Sequence, residues 1–332
     1  MFIPFFAVIA FNFLLLAFSQ SIQPPAIPLV VRSPYFQAYL PHSSTTTSAN
    51  GSHQWPTFWT TECVHFGWSG LLLVDGVPYT WLGDQLHIQL KNNATLTPTS
   101  FNDYEVTPTR SILNLTAGNI AISITFLSPI EPDNLVLQSF PFSYIYFEAS
   151  SMDGNSHSIQ VYQDITGEWV SYNNSNGIQW NTTTNDPIIY HKAQRLPFQF
   201  MTEINDVSED GAIYHVTNSG NGVTYQTGDA ATIRTEFLEN GKLNNTQEPP
   251  PHAISTTTQP VFAFSNDLGT IQSTSSPVVW GIGLVRNGDI IYTTTAGNQT
   301  RHPYFFTKYS DVPTAVSALP TTVNLPYPLP VL

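Results

Sequence analysis

Between Ile120 and Phe126 the chain reads I-A-I-S-I-T-F, so Ile120, Ile122, Ile124 and Phe126 are separated by small or polar residues. Side chains alternate across a strand, which puts these four on one face, whereas a helix would scatter them around its axis. Ala117-Gly118-Asn119 supplies a turn just before the run. A strand with one apolar face demands a sheet, and a sheet with one apolar face demands a second layer to cover it. The stretch from Leu135 to Val170 carries the argument further. FSYIYFEAS is aromatic and β-branched, as strands prefer, and Asp153-Gly154 accepts the positive φ of a tight turn. The returning segment sets Ile159 and Val161 on one face against Ser158, Gln160 and Tyr162 on the other. The expectation is a hairpin across SMDGNSH.

The remaining chain repeats the pattern. Asp75-Gly76 separates LLLV from VPYTWL, which predicts another hairpin, and LHIQL reads as a further strand. GIQWNT, IIYHKAQ, FQFMTEI, AIYHVTN, VTYQTGD, ATIRTEF, VFAFSND, VVWGIGLVR and IIYTTTAG follow as strand candidates. In VVWGIGLVR, Val278, Trp280, Ile282 and Leu284 share a face, and Gly281 and Gly283 keep the other one flat. Helix is expected once, near the C-terminus, where Ser310 or Asp311 caps SDVPTAVSAL with Pro313 in the first turn. The fold class is therefore all-β: a large antiparallel two-sheet β-sandwich, supersandwich-like, with one short C-terminal helix. Expected boundaries are a signal peptide over 1–19, a Pro-rich lead and Ser/Thr-rich loop over 20–54, the sandwich over 55–310, and a helix and Pro-rich tail over 311–332.

Charged residues make up only 10% of the chain and its formal net charge is −13. With so few Lys and Arg, neither nucleic acid nor an anionic membrane surface is an expected partner. The apolar run from Phe5 to Phe18 is short for a membrane span, and Ala17 and Ser19 give the small-x-small pattern of signal-peptide cleavage. The expected location is thus extracellular, with no membrane attachment after cleavage. Sequons at Asn50, Asn93, Asn114, Asn173, Asn181, Asn244 and Asn298 agree, and loops or strand ends are their expected places. Cys63 is the lone cysteine, so no internal disulfide is expected and a buried thiol is the simplest reading.

Motifs for chemistry are sparse. Gly67-Trp68-Ser69-Gly70 misses the nucleophile elbow by one position. Cys63 and His65 have no further ligands at metal spacing, so neither a metal nor another cofactor is expected. Asp164 and Glu168 are the best local carboxylate pair, but on a continuous strand residues four apart lie ~13 Å from each other. Glycosidase pairs need about 5–9.5 Å, which here requires a bend at Thr166-Gly167. Solvated or turn-stabilising carboxylates are the plainer expectation. Trp59, Trp68 and Trp81 are candidates for stacking on a sugar, although rings this dense more often form core.

The ordered blocks PPAIPLVVRSPYFQAYLP, FGWSGLLLVDGVPYTWLG, QSFPFSYIYFEASSMDGNSHSIQVYQDITGEWVS, RLPFQFMTEI, TYQTGDAATIRTEFLENGKLNNTQ and VVWGIGLVRNGDIIYTTTAG resemble secreted fungal glutaminase A proteins. The resemblance covers nearly the whole mature chain and stops near Ala318. It implies hydrolysis of glutamine to glutamate and ammonia by the family. It also implies that a helical toroid, following the β region in chains about twice this length, carries the catalysis. No catalytic residue transfers to this chain, which is expected to be inactive alone and to have that missing catalytic domain as its partner. The alternative is a secreted carbohydrate-binding module using exposed tryptophans.

Overall fold

The computed structural model describes residues 24–41, 54–58, 66–85, 88–91, 94–254, 259–286 and 288–318. Alternating strands build two large, mainly antiparallel sheets. One has seven strands in the order Thr246–Gln247, Val223–Asp229, Pro260–Ile271, His157–Thr166, Trp68–Val74, Val77–Leu82 and Thr97–Pro98. The other has nine: His252–Ala253, Gly177–Asn185, Ile188–Leu196, Gly211–Asn218, Val278–Arg286, Phe142–Ser151, Ile120–Leu127, Arg110–Ala117 and Ser100–Val106. Their facing sides share one interior, where Leu113, Ile122, Ile124, Phe147 and Trp280 of the larger sheet meet Trp68, Leu72, Val161 and Phe264 of the smaller. The two-sheet all-β expectation holds.

Two short turns match the sequence reading. Val74 pairs with Val77 across Asp75 and Gly76, both at positive φ, and Ala117 pairs with Ile120 across Gly118-Asn119. The Leu135–Val170 block does not form the expected hairpin. Phe142–Ser151 pairs with Ile120–Leu127 and Val278–Arg286, whereas His157–Thr166 pairs with Trp68–Val74 and Pro260–Ile271 in the opposite sheet. The segment Met152–Ser156 is therefore an arch that crosses the ~10 Å between stacked sheets. Side-chain caps stabilise the crossing. The Asp153 carboxylate accepts from the Ser151 hydroxyl and the Asn155 N–H, each at 2.9 Å, and lies 3.1 Å from His157 Nε2. His157 Nδ1 sits 2.6 Å from Asp75 Oδ2, tying the arch to the neighbouring turn. Periodicity predicts a strand on each side of a turn, but not which neighbour each strand takes.

Three α-helices are present among the described residues where one helix is expected. ATIRTEF, read as a strand, lies in helix Ala230–Asn240. Asp229 caps it by accepting from Thr232 N at 3.0 Å, and Gly241 at φ 70° ends it. Its Ile233 and Phe237 cover Leu71, Tyr162 and Ala263 on the outer face of the seven-stranded sheet. A one-turn helix, Leu135–Gln138, is capped by Asn134. The C-terminal helix Val312–Ser317 is capped by Asp311, whose carboxylate accepts from Thr314 N at 2.7 Å. With Phe305 it covers aromatic residues on the outer face of the nine-stranded sheet, Tyr144, Tyr146, Tyr190 and Tyr214 among them. Two other strand expectations fail. FQFMTEI contributes only Glu203–Ile204, and no strand forms over Ile88–Leu90, while Leu86 and His87 lie outside the described residues.

The Pro-rich lead belongs to the interior. Ala26–Ser33 and Phe36–Pro41 pair with each other and bury Ile27, Val30, Phe36, Ala38 and Leu40. Arg32 anchors them, its guanidinium donating to the carbonyls of Pro129, Gln138 and Phe140 at 2.5, 2.7 and 2.9 Å.

Candidate functional site

Strand His157–Thr166 points Tyr162 and Asp164 outward, under helix Ala230–Asn240. Asp164 is 0% exposed and its carboxylate is fully engaged. Arg234 Nε donates to Oδ2 at 2.7 Å, Nη2 donates to Oδ1 at 2.9 Å, and the Tyr162 hydroxyl donates to Oδ2 at 2.6 Å. The half-buried Trp55 ring lies 5.4 Å from the guanidinium carbon. Burial opposes the charge on Arg234, but the Asp164 carboxylate outweighs it and pushes the guanidinium above its ordinary value. Burial first, and then the Asp164 charge, push the Tyr162 phenol well above its ordinary value.

The strand ends at Thr166, and Gly167–Val170 forms a 3₁₀ turn, so the bend that a carboxylate pair would require is present. Its effect is structural. Glu168 Oε2 accepts from Gly67 N and the Thr166 hydroxyl, both at 2.6 Å, and Oε1 accepts from Gln259 Nε2 at 3.0 Å. A general acid or base must offer an oxygen to substrate. Both Asp164 oxygens serve Arg234, and both Glu168 oxygens serve the surrounding chain. The cluster pins a helix to a sheet. Arg234 is the member that strand periodicity missed; its signal is the Asp229 cap and Gly241 stop around a run of helix-formers.

The remaining candidates divide between the core and the surface. Trp68 and Trp81 are 0% exposed. Trp68 meets Phe126 and Trp169 edge-on at 5.4 and 5.5 Å, and Trp81 stacks on Trp280 at 6.3 Å. Neither ring offers a face to a dissolved sugar, so the stacking expectation fails at both for want of exposure. Trp59, Cys63 and His65 lie outside the described residues, as do Asn50 and Asn93. Ser69 is buried mid-strand, where the Gln85 amide donates to it. Asn173, Asn181, Asn244 and Asn298 are exposed, whereas Asn114 is half-buried and donates to Asp103 Oδ1 at 2.5 Å. Asn114 and Asn181 sit in the middle of strands, whereas Asn298 lies at the start of Gly297–Arg301, beside its turn. Among the described residues no three His, Cys, Asp or Glu side chains gather at metal-binding distance.

A family described as a domain of unknown function, DUF5127, matches residues 109–322, more than half of the chain. The chain belongs to the DUF5127 family. It is also 38% identical over 298 residues to Glutaminase A of Aspergillus oryzae, a match spanning 88% of this chain and 41% of that protein. A probable glutaminase of Arthroderma benhamiae is 26% identical over 324 residues, with 90% of this chain and 36% of that protein covered. This DUF5127 chain is thus a glutaminase A homologue over the N-terminal portion of that protein and spans about two fifths of the length of these relatives.

Proposed function

We propose that the chain is the non-catalytic N-terminal β domain of a secreted glutaminase A-like protein, and that it packs against a helical part that hydrolyses L-glutamine to glutamate and ammonia. One observation carries the reading: similarity runs along 88% of this chain yet reaches only 41% of Glutaminase A, while the best carboxylate pair here is consumed by the fold. What such a domain offers is shape. Its sheets are closed on the inside by aromatic packing and its polar clusters hold one element against another.

Calorimetric titration of L-glutamine into the purified chain tests this reading. A flat isotherm at millimolar ligand is the expected result. Saturable heat would mean that a substrate site lies within these residues and would contradict it. For secretion, the N-terminus of protein recovered from culture supernatant is expected at Gln20, just after Ser19.

A further inference from the structure

The sandwich has two unlike ends. At the arch end lie Met152–Ser156 and the two-residue turns at Asp75-Gly76 and Gly118-Asn119. At the other end the register brings together the close of strands Ile120–Leu127, Ile188–Leu196, Val278–Arg286 and His157–Thr166 with the start of Phe142–Ser151 and Gly211–Asn218. Of the exposed large apolar side chains among the described residues, only Val77 and Met152 lie at the arch end; the others lie at the open end. They come from several separate stretches, among them Ile130 at 58%, Phe200 at 46%, and Ile290 and Tyr292 of one strand at 58 and 56% exposure. Scattered apolar residues on a surface need no explanation, but segregation to one end does.

The most prominent of these stretches is an arm. Ile290–Thr294 and Gly297–Arg301 pair only with each other, outside both large sheets. Tyr292 faces Gln299, and Ile290 faces Arg301. A lone two-stranded ribbon is marginal in water and gains stability when a neighbour covers it. At its base, the Phe200 ring occupies space 2.7 Å from where a Cβ on Gly288 would sit, so the loop after Leu196 packs against the start of the arm.

Resting on the function proposed above, we infer that this open end, with the Ile290–Arg301 arm and Phe200 at its centre, is the face that docks the remaining polypeptide of a glutaminase of this family. One fact favours that occupant over a second copy of the chain. The matched relatives carry more than half of their length beyond the part this chain covers, so the same domain there has a large covalent neighbour.

Hydroxyl-radical footprinting of this chain and of intact Aspergillus oryzae glutaminase A tests the inference. Side chains aligned with Phe200, Ile290 and Tyr292 are expected to react severalfold more slowly in the intact relative than in this chain. Those aligned with Val77 and Met152 should react alike in both. Slowing confined to the arch end or to an outer sheet face would overturn the inference and leave the packing role standing. An absence of slowing anywhere would overturn the packing role and the inference with it. Concentration-dependent slowing at the arm in this chain alone would assign the face to a second copy, which also overturns the inference.

Discussion

Asp164 and Arg234 form a buried pair at 0 and 5% exposure, where removing one charge strands the other in a medium of low polarity. Asp164→Ala is therefore expected to cost about 3–5 kcal/mol in urea unfolding. Replacing both partners, Asp164→Leu with Arg234→Met, should recover most of that loss, and a double-mutant cycle reads the coupling directly. His191 and His215 present the opposite case, two rings buried without a counter-charge. His191 Nε2 lies 3.0 Å from the Ala263 carbonyl, and His215 Nδ1 lies 2.9 Å from the Phe262 carbonyl, so a neutral ring satisfies each contact by donating. Burial lowers His191 to about 4. Burial, and then the neighbouring His191, lower His215 to about 3. In the unfolded chain both rings take up protons near pH 6.5. Between that pH and about 4 and 3 the unfolded state binds more protons, so stability is lost as pH falls through this window. Each ring contributes a slope of up to about 1.4 kcal/mol per pH unit. Urea midpoints measured from pH 7 to 4.5 should fall steeply in the wild type and less steeply in a His191→Gln, His215→Gln variant. His157 works with the opposite sign. Its bond to Asp75, and then its bond to Asp153, raise it, so its stabilisation is present below pH 6.5 and is lost as pH rises through the raised value.

Among the elements, tight packing of strands over glycine makes two positions sensitive. A Cβ on Gly70 would sit 2.2 Å from the Trp81 ring, and one on Gly283 would sit 2.6 Å from the Phe142 ring. Gly70→Ala and Gly283→Ala are each expected to cost about 1–3 kcal/mol by overpacking, read as a lowered Tm. Gly281 has ordinary 3.7–3.8 Å clearance to Val216 and Tyr144 and should tolerate Ala better. Both glycines keep that face of the strand flat, and only Gly283 is crowded. Period-two alternation marked Ile120–Leu127 because its first half has one dry and one wetter face, and Val278–Arg286 because large side chains alternate with glycines although both its faces are largely buried. It failed for Ala230–Asn240, where Ile233 and Phe237 are spaced for a helix but the short window ATIRTEF also alternates well enough for a strand. Pairing partners were hidden too, since the arch and a hairpin use the same Asp153-Gly154 chemistry. For the candidate site, Asp164 and Glu168 were legible as acids near a bend. Their engagement was not, because Arg234 and Gln259 lie 70 and 91 residues away in sequence.

Taken as one molecule, the domain uses its charged side chains to hold elements together and gathers most of the exposed large apolar side chains among the described residues at one end. Arg234 joins helix to sheet, Arg286 joins strand Val278–Arg286 to Asp210 at 2.7 Å, and Arg32 anchors the lead to loop carbonyls. In the function proposed above, such an object contributes surface to a larger enzyme rather than a reacting group. Ammonia release from L-glutamine by the purified full chain, measured beside intact Aspergillus oryzae glutaminase A, tests that claim most directly. Release at the buffer blank is expected from the chain while the intact relative turns over. Release that rises with chain concentration and disappears in Asp164→Asn or Glu168→Gln would place a reactive centre inside the sandwich and contradict the account.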